Sequence, residues 1–167
     1  MTTEHRKLVR DVVDVFVENL QLPPKFVRQI IAALKARNRI DSGRPVSPEP
    51  TPRAIARTLL ALTSSTIRDA VDTEQRIGAL NLAVGVGQPT LEDELTDLVE
   101  TAVGWRFGDI DFRDGSILVG EGRAIINAAH YRGKPTGKTG LQRFTLLTNR
   151  AVAQISRELL PAERGAA

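Results

Sequence analysis

The apolar positions recur at helical spacing through the first third of the chain. From Glu4 to Leu20 the residues Leu8, Val9, Val12, Val13, Phe16, Val17 and Leu20 return every three or four positions, with Arg6, Lys7, Arg10, Asp11, Asp14 and Glu18 on the opposite side. This predicts an amphipathic helix capped by Thr2 or Thr3. Gln21, Leu22 and Pro23 break it, because Pro23 disfavours helical backbone at Leu22 and offers no amide. Pro24 suits the first turn of a second helix, in which Val27, Ile30, Ile31 and Leu34 face inward and Lys25, Arg28, Gln29, Lys35 and Arg37 face outward. Four prolines between Pro45 and Pro52 then favour an extended arm at 41–50. Thr51-Pro52 opens a third helix, with Ile55, Leu59, Leu60 and Leu62 as its buried stripe and Arg53 and Arg57 a turn apart on its far side.

In the middle of the chain the periodicity is less even. Ser65 or Thr66 is the expected cap of a fourth helix, with Ile67, Ala70, Val71, Ile77 and Leu80 inward, though the spacing lapses from Asp72 to Gln75. Gly85, Gly87 and Pro89 end that stretch. Thr90 precedes Leu91, Leu95, Leu98, Val99 and Val103 at helical spacing, and Asp93 three residues after it makes a near capping box. From Trp105 the pattern alternates. WRFGDIDF and SILVGEG flank Arg113-Asp114-Gly115 as a predicted hairpin, and RAIINAAHYRG and LQRFTLLT are further strand candidates. NRAVAQISRELL closes the pattern as a helix capped by Thr148 or Asn149, and PAERGAA reads as a frayed end. The expected fold is α+β and mainly helical: a three-helix, helix-turn-helix-like domain over 1–64, a helical connector over 65–104 and a small α+β domain over 105–167.

Composition narrows the classes. The 167 residues are 41% hydrophobic, enough for a core, and no run approaches the eighteen apolar residues of a membrane span. The opening MTTEHRKLVRDVVDVF has charges where a secretory signal needs an apolar run, so a cytoplasmic protein is expected. There is no cysteine, which excludes disulfides, a thiol nucleophile and the usual structural zinc sites. The net charge of +3 hides a strong asymmetry. Residues 1–60 hold 11 Lys/Arg against 6 Asp/Glu, residues 61–118 hold 4 against 11, and residues 119–167 hold 8 against 3. Two basic ends around an acidic middle make the ends the expected contacts for a polyanion.

Two helices joined by a turn of about three residues, the second cationic, have the layout of a helix-turn-helix. A major groove admits one helix, whose outer face must supply long donors for phosphates and base edges. Lys25, Arg28, Gln29, Lys35 and Arg37 supply them, joined by Arg39 and Arg44 on the arm and Arg53 on the third helix. The plain alternative is a helical hairpin with a wet polar face, and for the arm a simple linker. FVRQIIAALKARNRI, the GRP turn and TPRAIARTLLAL together resemble the helix-turn-helix and winged-helix modules at the front of phage- and prophage-type regulators and of small terminase packaging subunits. The resemblance covers about a third of the chain. It departs from the commonest winged-helix pattern in having Asn38 where a glycine often ends the recognition helix, and in lacking an evident second wing strand.

Enzymatic motifs fall short. GKPTGKTG at 133–140 has Arg132 where a phosphate loop needs its first glycine, and the residues that follow read as a strand instead of a helix. A basic loop touching the DNA backbone through Arg132, Lys134 and Lys138 fits better, and a plain flexible connection better still. Asp109, Asp111 and Asp114 begin like a calcium loop, but Arg113 takes the fifth position and Gly120 the twelfth. His5 and His130 are the two imidazoles and lie far apart, so no metal site, cofactor or catalytic triad is expected. The expected function is therefore non-enzymatic: a sequence-preferring regulator of phage or mobile-element type that binds double-stranded DNA. A ring-forming packaging subunit and a protein-interaction adaptor are the alternatives. Self-association is expected, as a dimer in the first case, and the acidic helix after Thr90 is expected to face away from DNA.

Overall fold

The computed structural model describes residues 11–43, 48–83, 87–104, 116–120, 123–127, 129–133 and 144–161. Helix α1 spans Val12–Leu20, α2 Pro24–Ala36, α3 Pro52–Leu62, α4 Ala70–Gly78, α5 Leu91–Ala102 and α6 Asn149–Leu159. Strands β1 (Asn81–Leu82), β2 (Ser116–Gly120), β3 (Arg123–Ile126), β4 (Ala129–Arg132) and β5 (Phe144–Thr148) form one antiparallel sheet in the order β1-β4-β3-β2-β5. The fold is thus α+β with a helical majority, as the periodicity implies. None of the described helices is long and apolar enough to cross a membrane.

The ends of the elements follow from local chemistry. Asp11 caps α1 by accepting from the Val13 amide at 3.1 Å, whereas the expected caps Thr2 and Thr3 lie outside the described residues. Thr51 accepts from Ala54 at the start of α3, with Pro52 where its missing N–H costs nothing. Thr90 and Asp93 make a full, reciprocal capping box on α5, and Thr148 caps α6. Helix α4 starts later than the spacing suggests. Thr66 and Asp69 bond to one another ahead of it, and Ile67, expected inward, is 37% exposed.

Helix α2 ends in a Schellman motif built on Asn38. Its φ of 54° is left-handed, the Asn38 amide reaches the Lys35 carbonyl at 3.0 Å, and the Arg39 amide reaches Leu34 at 2.9 Å. Asparagine tolerates that conformation better than other non-glycine residues, so it does the work that a glycine often does at such a helix end. Asn127, at φ 46°, similarly divides the single stretch RAIINAAHYRG into β3 and β4. The Arg113-Asp114-Gly115 hairpin lies outside the described residues, and both sides of β2 are taken by β3 and β5.

One buried cluster runs through all of these elements. It joins Phe16, Ile30, Leu34, Leu59, Leu91 and Leu95 from the helices to Ile117, Tyr131, Leu147 and Ile155 from the sheet and α6. The segments 1–64, 65–104 and 105–167 therefore meet in a shared core. Gly78 brings α4 close to α5, since a side chain there would sit 3.4 Å from Glu92 Cβ and from Leu60. Tyr131, 2% exposed on β4, lies in the shared core with the Glu94 carboxylate of α5 close by.

Candidate nucleic-acid interface

Helix α2 buries Val27, Ile30, Ile31 and Leu34 against its neighbours, and this fixes what it shows to solvent. Lys25, Arg28, Gln29, Ala32 and Ala36 are exposed at helical spacing, Arg37 is exposed at the end, and Lys35 is half-buried at the edge. The strip from Lys25 to Arg37 is about 18 Å long at 1.5 Å per residue. The two alanines keep its centre low, so a ligand backbone can come close between the long side chains. Among the described residues no ion pair forms to Lys25, Arg28, Lys35 or Arg37. Beside the strip an apolar cleft of about 450 Å³ opens between α1, α2, α3 and Pro48–Pro50, with Arg28 and Lys35 on one wall and Asp11, Asp41 and Glu49 also at its lining.

The other expected contacts are placed differently. Arg39 donates through Nε to Glu74 Oε2 at 2.9 Å and through Nη2 to Glu74 Oε1 at 2.8 Å, a two-bond fork on a carboxylate that is fully buried. Its Nη2 also lies 3.4 Å from Glu92. Arg57 of α3 donates to Glu92 Oε1 at 2.8–2.9 Å and to the Arg39 carbonyl at 2.6 Å, and its Nε lies 3.9 Å from Glu74. Arg53 spans Glu92 and Asp93 at 3.0 Å each. Three arginines face three carboxylates, so the cluster presents little net field. Arg44, Lys134 and Lys138 lie outside the described residues, and Arg132 is exposed on β4.

The electrostatics follow from these contacts. The bonds to Glu74 hold the Arg39 guanidinium more firmly protonated than usual, against the cost of burial. The Asp93 carboxyl is held below the usual aspartate range, first by the Thr90 hydroxyl and then by the Thr90 amide and Arg53. Burial, with the Glu94 carboxylate opposite, pushes the Tyr131 phenol up to about 12.

The acidic first turn of α5 thus bonds to the protein's own arginines. Local spacing does not name Glu74 as a partner of the basic residues, although the lapse in apolar spacing from Asp72 to Gln75 marks the place. A carboxylate replaces an apolar residue on the buried side of α4, which requires a cation opposite it. Comparison with known proteins yields no match: no protein-family model, no curated protein and no solved structure corresponds to this chain.

Proposed function

We propose that this protein is a non-enzymatic DNA-binding regulator and that its contact surface is the outer face of α2. The observation that carries the reading is the strip of Lys25, Arg28, Gln29 and Arg37, exposed on a helix whose opposite side is anchored in the core. Phosphate contacts from such side chains need no partner to be displaced. Arg39, Arg53 and Arg57 would have to give up carboxylates already at bonding distance. The contact set is therefore smaller than the eight residues expected from the sequence, with Lys35 and Arg37 continuing the strip. Arg39 and Arg53 act instead by fixing the backbone that follows α2 and the start of α3. Gln29, with a donor and an acceptor, is the residue on the strip suited to a base edge.

The test is binding of a duplex measured across salt concentrations. Four cations meeting phosphates give a slope of log affinity against log salt of about −3.6, and adding Arg39, Arg53 and Arg57 would steepen it to about −6. The expected slope is the shallower one. Lys25→Glu with Arg28→Glu should abolish binding while leaving the fold intact, since both side chains are exposed. Absence of binding at about 50 mM salt, where such contacts are strongest, would overturn the proposal.

A further inference from the structure

The two edges of the sheet are built differently. At one edge β1 has two residues, Asn81 and Leu82, too short to template another strand. At the other, β5 pairs with β2 through five successive residues, from Ser116↔Thr148 to Gly120↔Phe144, without a bulge. Its sequence, FTLLT, contains no charge and no proline. Among the described residues no strand lies on its far side. Long, flat, uncharged edges invite pairing, and proteins that remain single usually blunt them.

The outer face of the sheet points the same way. The register lines up His130, Ile125, Leu118 and Leu146 in one row across β4, β3, β2 and β5. The row ends at the edge in Leu146, which is 61% exposed. In the next row Phe144 is 39% exposed and lies across Gly120, where a Cβ would come within 2.5 Å of the ring, and the Arg123 guanidinium stacks over it at 4.7 Å. The apolar row therefore runs outward to the edge and stops there in solvent.

We propose that the β5 edge docks a second copy of this chain, strand β5 against strand β5, closing two five-stranded sheets into one of ten strands. A two-fold axis beside Leu146 sets Leu146 against its counterpart and continues the apolar row through Leu118 and Ile125 of the second copy. It also sets Phe144 against Thr148, so the strand is complementary to itself and no like charges within it meet. A second copy fits better than an acidic partner because the edge is apolar and uncharged. One five-residue edge is a small interface, so the dimer dissociates on dilution. The interface does not involve α2, and its test needs no DNA, so it stands or falls apart from the DNA reading.

The experiment is the mass of the full chain in solution over a concentration series, with two variants. The unaltered protein should move from monomer to dimer as concentration rises. Leu146→Lys should remain monomeric with an unchanged unfolding temperature, because the side chain it replaces is mostly in solvent. Leu146→Cys adds the chain's one thiol, and opposed residues across an antiparallel pair lie within disulfide reach. Mild oxidation should therefore give a covalent dimer that reductant releases. A dimer that survives Leu146→Lys, an assembly larger than two, or a chain that remains monomeric and fails to cross-link at position 146 would each overturn the inference.

Discussion

Removing the Arg39 side chain should be among the most damaging single changes outside the apolar core. Arg39 supplies two short charge-assisted bonds to Glu74, which has no solvent exposure, and the one other described cation near that carboxylate is Arg57 at 3.9 Å. Arg39→Ala therefore leaves a buried carboxylate with a single distant partner, a loss of about 3–5 kcal/mol for a broken buried pair. Arg57 offsets part of this, so we expect about 3 kcal/mol. For a chain of this length that is a fall in unfolding temperature of roughly 6–12 °C. The double change Arg39→Met with Glu74→Leu should recover most of the loss, because it removes both charges. Urea unfolding followed by circular dichroism at pH 7 measures both effects. A loss under about 1 kcal/mol for Arg39→Ala at pH 7, or a double variant no better than the single, would refute the reasoning.

Further outcomes follow from other contacts. Tyr131 ionises at about 12 when folded and near 10 when unfolded, so its contribution is complete below pH 10 and lost as pH rises toward 12. On the order of 2–3 kcal/mol should disappear over that window in alkaline unfolding, and Tyr131→Phe should flatten it. Thr90→Ala should cost about 1 kcal/mol through loss of the α5 cap. Because the depressed Asp93 contributes stability above the usual aspartate range and loses it as pH falls, that cost should be larger at pH 7 than at pH 3, read from urea midpoints. Asn38→Gly should be nearly neutral and Asn38→Val should lose about 1–2 kcal/mol at the left-handed end of α2, as thermal unfolding would report.

What could be read from the chain was what neighbours decide. The starts of α2, α3, α5 and α6 follow from Pro24, Thr51, Thr90 and Thr148, because a cap acts within three residues. The inward faces of α2 and α5 follow from Val27–Leu34 and Leu91–Val99 at helical spacing. Strand β1 escaped the reading because two residues carry no period, and its pairing with β4 joins Asn81 to Arg132 across the chain. The apolar pattern places Ile67 inward, but the turn made by Thr66 and Asp69 delays α4 and leaves it outside. The basic surface was legible in its residue types and not in their partners. Arg28 and Arg39 look equally available in one dimension, yet Glu74 lies thirty-five positions beyond Arg39 and meets it through a fold the local spacing does not encode.

The packing of α1 on α6, with Asn19 reaching Glu158 at 3.3 Å, carries a consequence for biosynthesis. Phe16 and Val15 are sealed in part by a helix that leaves the ribosome some 130 residues after them, at a rate of about 5–20 residues per second. Until Val152 and Ile155 emerge, the opening helices have one flank uncovered, so the chain must wait several seconds with that apolar surface in water. Closure of this core is therefore expected to wait for α6, and a chain stopped short of α6 should be a substrate for chaperones and proteases.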